Sequence, residues 1–180
     1  MVPGAHRDHN GPVIVAILGG RLAGMRVRRE DGYEIDTAPE RLDLERLHRW
    51  LSTDAYWARG RSAEVVARSV EGSLCFGLYA PDGALTGFAR VVTDGATFAW
   101  LCDVYVAPDA RGIGLGGWLV RVVRDRLRER GVYRILLSTA DAHEVYARAG
   151  FAPLGAPERW MEIDLRDTSG FPEPREVRHR

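Results

Sequence analysis

The chain has 180 residues, of which 46% are hydrophobic and 28% charged, a composition typical of one soluble globular domain with a sizeable core. Its 25 basic residues balance 25 acidic ones, so no basic field indicates a nucleic-acid or membrane-surface partner. The two cysteines show no metal-ligand spacing with each other or with histidine, and we therefore predict no metal site.

The N-terminal 32 residues are rich in glycine and proline and contain one short apolar run at residues 13–18. That run is too short for a membrane helix or for the core of a signal peptide, so we expect a cytoplasmic protein. We assign residues 1–32 to a leader, poorly ordered or accessory, while an added strand or a true start at Met25 stays open. Residues 33–165 are expected to form the domain, and residues 166–180 a C-terminal tail.

Two helices are predicted after a short strand at residues 33–36. The sequence Thr37-Ala-Pro-Glu40 is typical of a capping box, and leucines then recur on one helix face across residues 44–51. Ser62 is the expected N-cap of the second helix, which Gly72 ends.

An antiparallel meander is predicted next, because residues 74–79, 84–92 and 97–106 are strand-like and are separated by Pro-Asp-Gly and Thr-Asp-Gly turns. This three-strand unit forms the centre of the expected sheet.

The C-terminal half of the domain is predicted to start with an amphipathic helix that ends at Gly131. A strand at residues 133–138 follows this crossover helix and should run parallel to the last meander strand. Asp141 is the expected cap of a short helix, and residues 151–155 and 159–165 are predicted to form a hairpin. The fold class is therefore α/β (α+β), a mixed, mostly antiparallel central sheet with helices on both faces.

The stretch from Val104 to Gly117 joins an apolar strand to a charged helix through consecutive small residues. Its glycines let the backbone approach a ligand closely. The following helix would direct unpaired N–H groups and the positive end of its dipole at an anion. A phosphate-binding site is therefore predicted at this helix start.

Arg111, Gly114 and Gly116 match a pattern of the GNAT superfamily of acyl-CoA-dependent N-acyltransferases: Arg or Gln, two residues, Gly, one residue, then Gly or Ala. A second signature of that family, a short helix carrying Tyr and followed by Gly-Phe, is matched by Tyr146 and Phe151. The order of elements over residues 33–165 also resembles the family. Residues 75–106 are similar to a subgroup of small bacterial acetyltransferases.

The resemblance implies acetyl-CoA as the acyl donor, without a metal, and a primary amine as the acceptor, either a small molecule or a peptide or protein N-terminus. It also allows a homodimer. The pantetheine arm would pair with main-chain groups at the end of the strand, and the pyrophosphate would lie on the glycine loop. The implied cofactor-binding residues are Val104, Val106, Arg111, Gly112, Ile113, Gly114, Leu115, Gly116, Gly117 and Tyr146.

Tyr146 and Asp103 are the candidate catalytic residues. The resemblance implies that Tyr146 protonates the departing thiolate. A base is useful because an amine of pKa about 10.4 is neutral only ~0.04% of the time at pH 7. Asp103 is the candidate because it interrupts an otherwise apolar strand beside the expected thioester; alternatively, it forms an ion pair with an arginine such as Arg90.

The candidate acceptor-side residues are Tyr56, Trp57 and Arg90. Tyr56 and Trp57 are adjacent aromatics in the loop between the first two helices. They either wall the acceptor pocket or pack beneath the loop.

Two other classes of protein fit parts of the sequence. Gly112, Gly114 and Gly117 also satisfy G-x-G-x-x-G, the fingerprint of a Rossmann-type oxidoreductase. The antiparallel strands that precede the loop argue against that fold. A non-catalytic acyl-CoA-binding or regulatory module would keep the loop without turnover and stays open.

Overall fold

Apolar, alternating strands form a six-stranded sheet in the computed structural model, which describes residues 24–164. The strands lie side by side in chain order: β1 (Arg26–Arg28), β2 (Glu34–Asp36), β3 (Leu74–Tyr79), β4 (Leu85–Thr93), β5 (Phe98–Val106) and β6 (Arg134–Leu136). Neighbours are antiparallel except for β5 and β6, which are parallel. The predicted meander and parallel strand are confirmed, and a doubly wound Rossmann sheet is excluded.

In the described part of the chain, four α-helices cover the sheet: α1 (Leu44–Arg49), α2 (Ala63–Glu71), α3 (Leu115–Glu129) and α4 (His143–Arg148). Side chains alternate along β3, so that Cys75 and Tyr79 pack in the cluster with α1 and α2, whereas Phe76 and Leu78 pack in the cluster with α3. Each face of the sheet thus has its own apolar cluster. The predicted fold class, with helices on both faces, is confirmed.

The start of α1 differs from the sequence prediction. Its N-cap is Asp43, whose side chain accepts a hydrogen bond from the backbone N–H of Arg46 at 2.9 Å. The predicted capping box at Thr37 is wrong, because the Thr37 hydroxyl instead accepts from the backbone N–H of Met25 at 3.0 Å. By contrast, α2 begins and ends as predicted, with a Ser62 side-chain cap and Gly72 at its end.

The region after β6 also departs from the prediction. Asp141 does not cap α4; the Thr139 hydroxyl accepts from the backbone N–H of Ala142 at 3.1 Å instead. The predicted hairpin is wrong within residues 151–164, which contain one 3-10 turn at Pro157–Arg159 and no strand. Prolines at 153 and 157 remove backbone donors that a sheet ladder needs.

The sheet begins inside the segment assigned to the leader, because β1 pairs with β2 along its whole length. Arginine side chains of β1 form ion pairs with the buried carboxylates of Glu34 and Asp36. Residues 1–23, with the apolar run at 13–18, and residues 165–180, with the expected tail, lie outside the described residues. Within residues 24–164, no helix combines the length and apolar character needed to cross a bilayer.

Candidate active site

An unpaired stretch of β5 forms the centre of the candidate site. β6 pairs only with Phe98–Trp100 of β5, although β5 continues to Val106. Beyond Trp100 the two parallel strands separate. Main-chain groups on this side of residues 101–106 are therefore not used by β6, and an extended ligand could hydrogen-bond to them.

A β-bulge lies where the strands separate. Phe88 pairs with Tyr105 but Arg90 pairs with Cys102, so β5 has one extra residue at this point. Asp103 adopts a φ of 51°, a left-handed conformation that aspartate tolerates better than most residues. The bulge places Asp103 on the same face as Tyr105, which belongs to the cluster with α1 and α2.

The Asp103 carboxylate is buried and accepts two charged hydrogen bonds on one oxygen. Arg90 Nε lies 2.7 Å from Asp103 Oδ2, and Arg61 Nη1 lies 2.9 Å from the same atom. Arg90 also donates through Nη1 to Ser73 Oγ at 3.1 Å. The ion pair given above as the alternative for Asp103 is thus present, while its function as a base stays a prediction.

Arg61 is a site residue that the sequence analysis missed. It stands alone between Gly60 and the N-cap Ser62, a position that carries no motif. Backbone bonds from Gly60 to Ser52 and from Arg61 to Ala58 fold the loop so that this side chain reaches β5. Its contact with Asp103 is visible only in the three-dimensional structure.

Tyr146, on α4, is half-buried against the core cluster that includes α3. Its ring makes an edge contact with Phe151, with centroids 5.9 Å apart. Burial, together with the nearby Tyr56 and Asp141, raises the pKa of Tyr146 to about 12. The phenol is therefore protonated at neutral pH, as a general acid requires.

The loop between α1 and α2 crosses from one side of the separated strands to the other. The Tyr56 hydroxyl accepts from the backbone N–H of Ala140 at 3.1 Å and donates to Asp141 Oδ1 at 3.4 Å. At its other end, the loop reaches β5 through Arg61. Tyr56 and Trp57 are 47% and 40% exposed, which favours a pocket wall over packing beneath the loop.

The glycine loop has the geometry of an anion site. Gly112 and Gly114 have φ angles of 85° and 80°, and Gly114 is the N-cap of α3. A Cβ added at either glycine would meet nothing within 4 Å, so their backbone is open to a ligand. The first turn of α3 has no acidic residue to compete for its N–H groups. These features fit a pyrophosphate.

Side chains around the loop tie it to β5. Arg111 Nε donates to the backbone carbonyl of Val106 at 2.9 Å. Leu115 is fully buried, whereas Ile113 is 52% exposed. A Cβ at Gly116 would lie 3.7 Å from a Val106 methyl group, so the start of α3 packs against the end of β5. Among the described residues, no group of three His, Cys, Asp or Glu side chains is placed to hold a metal ion.

The chain is similar in sequence and in fold to known proteins. A Gibberella zeae protein described as an acetyltransferase is 27% identical over 135 residues, which cover 64% of this chain and 76% of that protein. Streptothricin acetyltransferase of Streptomyces lavendulae is 40% identical over 83 residues, 41% of this chain and 42% of that enzyme. A solved structure of a GNAT-family protein from Xanthomonas campestris pv. campestris superposes on this fold with a TM-score of 0.70. The two sequences are 41% identical, and the match covers 74% of this chain and 93% of the Xanthomonas chain.

The sequence model of the acetyltransferase (GNAT) family matches residues 44–151, which is more than half of the chain and includes β3 to β6, the glycine loop and Tyr146. The chain therefore belongs to the GNAT family and is an acyltransferase.

Proposed function

We propose that this enzyme transfers an acetyl group from acetyl-CoA to a primary amine by direct attack. The observation that carries the proposal is the convergence of three features: the unpaired end of β5, the open glycine loop at the start of α3, and the protonated phenol of Tyr146. The amine nitrogen forms a bond to the acetyl carbon while the carbon–sulfur bond breaks, and no covalent enzyme intermediate is needed.

The cofactor-binding part of the proposal assigns the pyrophosphate to the glycine loop. Backbone N–H groups of Gly112–Gly117 and the start of α3 would hold its charge, each helix-end contact contributing about 0.3–1 kcal/mol. Main-chain groups of Val104 and Val106 would hold the pantetheine arm along β5. When bound, acetyl-CoA supplies the reactive thioester. Arg111, already held against the end of β5, would add a charged contact.

The proton-transfer part of the proposal uses two side chains. Tyr146 donates its phenolic proton to the leaving thiolate, a step that general acid catalysis accelerates ~10²–10⁴-fold. Asp103 is the candidate base for the acceptor amine. Both arginines bind Asp103 Oδ2, whereas Asp103 Oδ1 accepts no hydrogen bond from a described residue. Oδ1 would therefore receive the proton of the acceptor amine, directly or through a water molecule.

The acceptor would lie on the face of β5 covered by α1 and α2, beneath the loop that carries Tyr56 and Trp57. This location is supported by the exposure of both aromatics and by the contact of Tyr56 with residues that follow β6. The candidate acceptors are a small amine and a peptide or protein N-terminus.

The proposal is tested with purified full-length protein, acetyl-CoA and a panel of small amines, amino acids and peptides. Release of free CoA thiol and the mass of the acetylated product are measured together. We expect a stoichiometric N-acetylated product with at least one acceptor. Tight binding of CoA without any product across the panel would instead support a non-catalytic acyl-CoA-binding module, and NAD binding without CoA binding would contradict both.

A further inference from the structure

The cluster of Arg61, Arg90 and Asp103 carries more positive than negative charge. Two guanidinium groups share a single carboxylate oxygen, and the Asp103 side chain is only 2% exposed. The other carboxylate on this face that the structure ties to β5, Asp54, accepts from the Tyr105 hydroxyl at 2.9 Å. One positive charge of the cluster is therefore not balanced within it.

Both arginines retain donors that the described residues do not use. Arg90 binds Asp103 through Nε and Ser73 through Nη1, and Arg61 binds Asp103 through Nη1. Their Nη2 groups make no hydrogen bond within residues 24–164 and are not among the buried unpaired atoms there, so they are reachable from solvent. The two side chains are 22% and 14% exposed. A partly desolvated, weakly hydrated guanidinium fork favours a carboxylate partner.

The cluster lies on the acceptor side of the site and not beside the glycine loop. Arg61 ends the loop that carries Tyr56 and Trp57, and Asp103 faces the α1 and α2 side of the sheet together with Tyr105. The start of α3, by contrast, packs on the opposite face next to Val106. The unbalanced charge is therefore placed to meet the acceptor amine and not the phosphates of the donor.

We propose that Arg61 and Arg90 bind a carboxylate of the acceptor, so that the acceptor is an amino acid or another small amine that carries a carboxylate. This inference rests on the proposed acetyl transfer and narrows its substrate class. Asp103 holds the two guanidinium groups in place, and Arg61 and Arg90 are specificity-determining residues.

The test compares acids with their carboxamides as acceptors for the full-length protein. Glycine, β-alanine, 4-aminobutyrate and the L-amino acids are each paired with the matching amide. We expect at least one acid to have a kcat/KM about 10- to 100-fold above its amide, the size of a charge-assisted contact. In Arg61→Gln this ratio should fall toward one, mainly through KM, whereas Arg59→Gln, an exposed arginine of the same loop, should keep it. Equal or better turnover of every amide would overturn the inference while leaving acetyl transfer intact.

If no acceptor in the panel is turned over, that result counts against the proposed function. A binding measurement then tests the carboxylate site separately. Calorimetry then compares the N-acetylated acids with the N-acetylated amides in the presence of CoA, for the wild type and Arg61→Gln. Tighter binding of an acid that is lost in Arg61→Gln supports the carboxylate site. Equal or weaker binding of all the acids contradicts it.

Discussion

The hydroxyl of Tyr56 accepts a hydrogen bond from the backbone N–H of Ala140, a residue 84 positions further along the chain. This bond ties the loop between α1 and α2 to the segment that follows β6. The same loop is tied to β5 through Arg61 and Asp103. It is thus held on both sides of the gap between the two strands, and residues from three separate parts of the chain meet around that gap, where we propose that the acceptor binds.

Replacing Tyr56 with phenylalanine should weaken this enclosure without altering the cofactor loop. Phenylalanine loses both hydrogen bonds of this hydroxyl, the one from Ala140 and the longer one to Asp141. Since one such bond contributes about 0.5–1.5 kcal/mol, we expect a kcat/KM for the acceptor that is at least about two- to tenfold lower, mainly through KM. The Kd of CoA should stay near the wild-type value. Steady-state kinetics and calorimetry measure both, and Tyr133→Phe, an 80% exposed tyrosine, is the control. A change in CoA affinity alone would contradict this assignment.

The glycine loop can be tested with two alanines that differ in backbone strain. Gly114 has a φ of 80°, so Gly114→Ala must either strain the loop or shift it, and we expect CoA to bind about 10-fold more weakly. Gly116 has ordinary helical geometry, and its added methyl group would lie 3.7 Å from Val106, so Gly116→Ala should bind CoA as the wild type does. Equal effects of the two alanines would argue against the backbone of this loop as the phosphate site.

Tyr146→Phe should lower kcat by ~10²–10⁴ while leaving the Kd of acetyl-CoA nearly unchanged, because it removes the proton donor and keeps the ring that packs on Phe151. Since the pKa of Tyr146 is raised to about 12, the wild-type activity should not decline through ionisation of this phenol up to about pH 10. Rapid-quench measurement of the chemical step gives the relevant rate. Unchanged turnover in the variant would rule out the acid function.

Asp103→Asn should affect kcat and KM in opposite directions for a carboxylate-bearing acceptor. Asparagine tolerates the left-handed backbone, so the bulge should persist, but the base is lost and kcat should fall. Without the carboxylate that holds them in place, Arg61 and Arg90 should bind the acceptor carboxylate less well, which raises KM. The unfolding free energy should decrease by on the order of 3 kcal/mol, because two partly buried cations lose their partner. A lower stability with unchanged kcat would show that Asp103 only positions the arginines.

The protein should lose stability at alkaline pH. Burial raises the pKa of Tyr79, Tyr105 and Tyr146 from 10.0 to about 12, that of Cys75 from 9.0 to about 12, and that of Cys102 from 9.0 to about 11. Between the unfolded and folded values, the folded state binds more protons than the unfolded chain. The free energy of unfolding should therefore fall as pH rises from about 9 to about 12, as urea titrations would measure.

Tyr79→Phe is the matched variant for this pH dependence. The Tyr79 hydroxyl is buried and has no hydrogen-bond partner within the described residues. Phenylalanine should raise the stability near neutral pH by about 1 kcal/mol and should make the alkaline decrease smaller. Tyr133→Phe should do neither. An alkaline profile identical to the wild type in Tyr79→Phe would show that this phenol does not contribute.

Local patterns in the sequence were sufficient for much of the fold. The bounds of β3 to β5 and of α3 follow from alternating or helical apolar spacing, which depends on neighbours in the chain. The start of α1 was predicted wrongly because Thr37 and Asp43 are both good caps. The choice between them depends on a distant part of the chain, since Thr37 bonds to Met25, the residue before β1.

The parts of the candidate site that depend on backbone conformation could be predicted from the sequence. The parts that depend on contacts between distant side chains could not. The glycines at 112 and 114 indicate positive φ and an anion site by their identity alone. The contact of Arg61 with Asp103, however, depends on a bulge and on a loop fold, neither of which has a local sequence pattern. The exposure of Tyr56 and Trp57 likewise required the structure.

The strand order of the sheet has a consequence for how the molecule opens. Within the meander, β3, β4 and β5 follow one another through short turns and each neighbouring pair is matched over six residue pairs, whereas β6 joins only after the crossover through α3 and pairs with three residues of β5. Such a long-range, short pairing closes late in folding and separates at a lower free energy than the meander. The enzyme would therefore lose its acceptor enclosure in a partly opened state whose central strands are still intact.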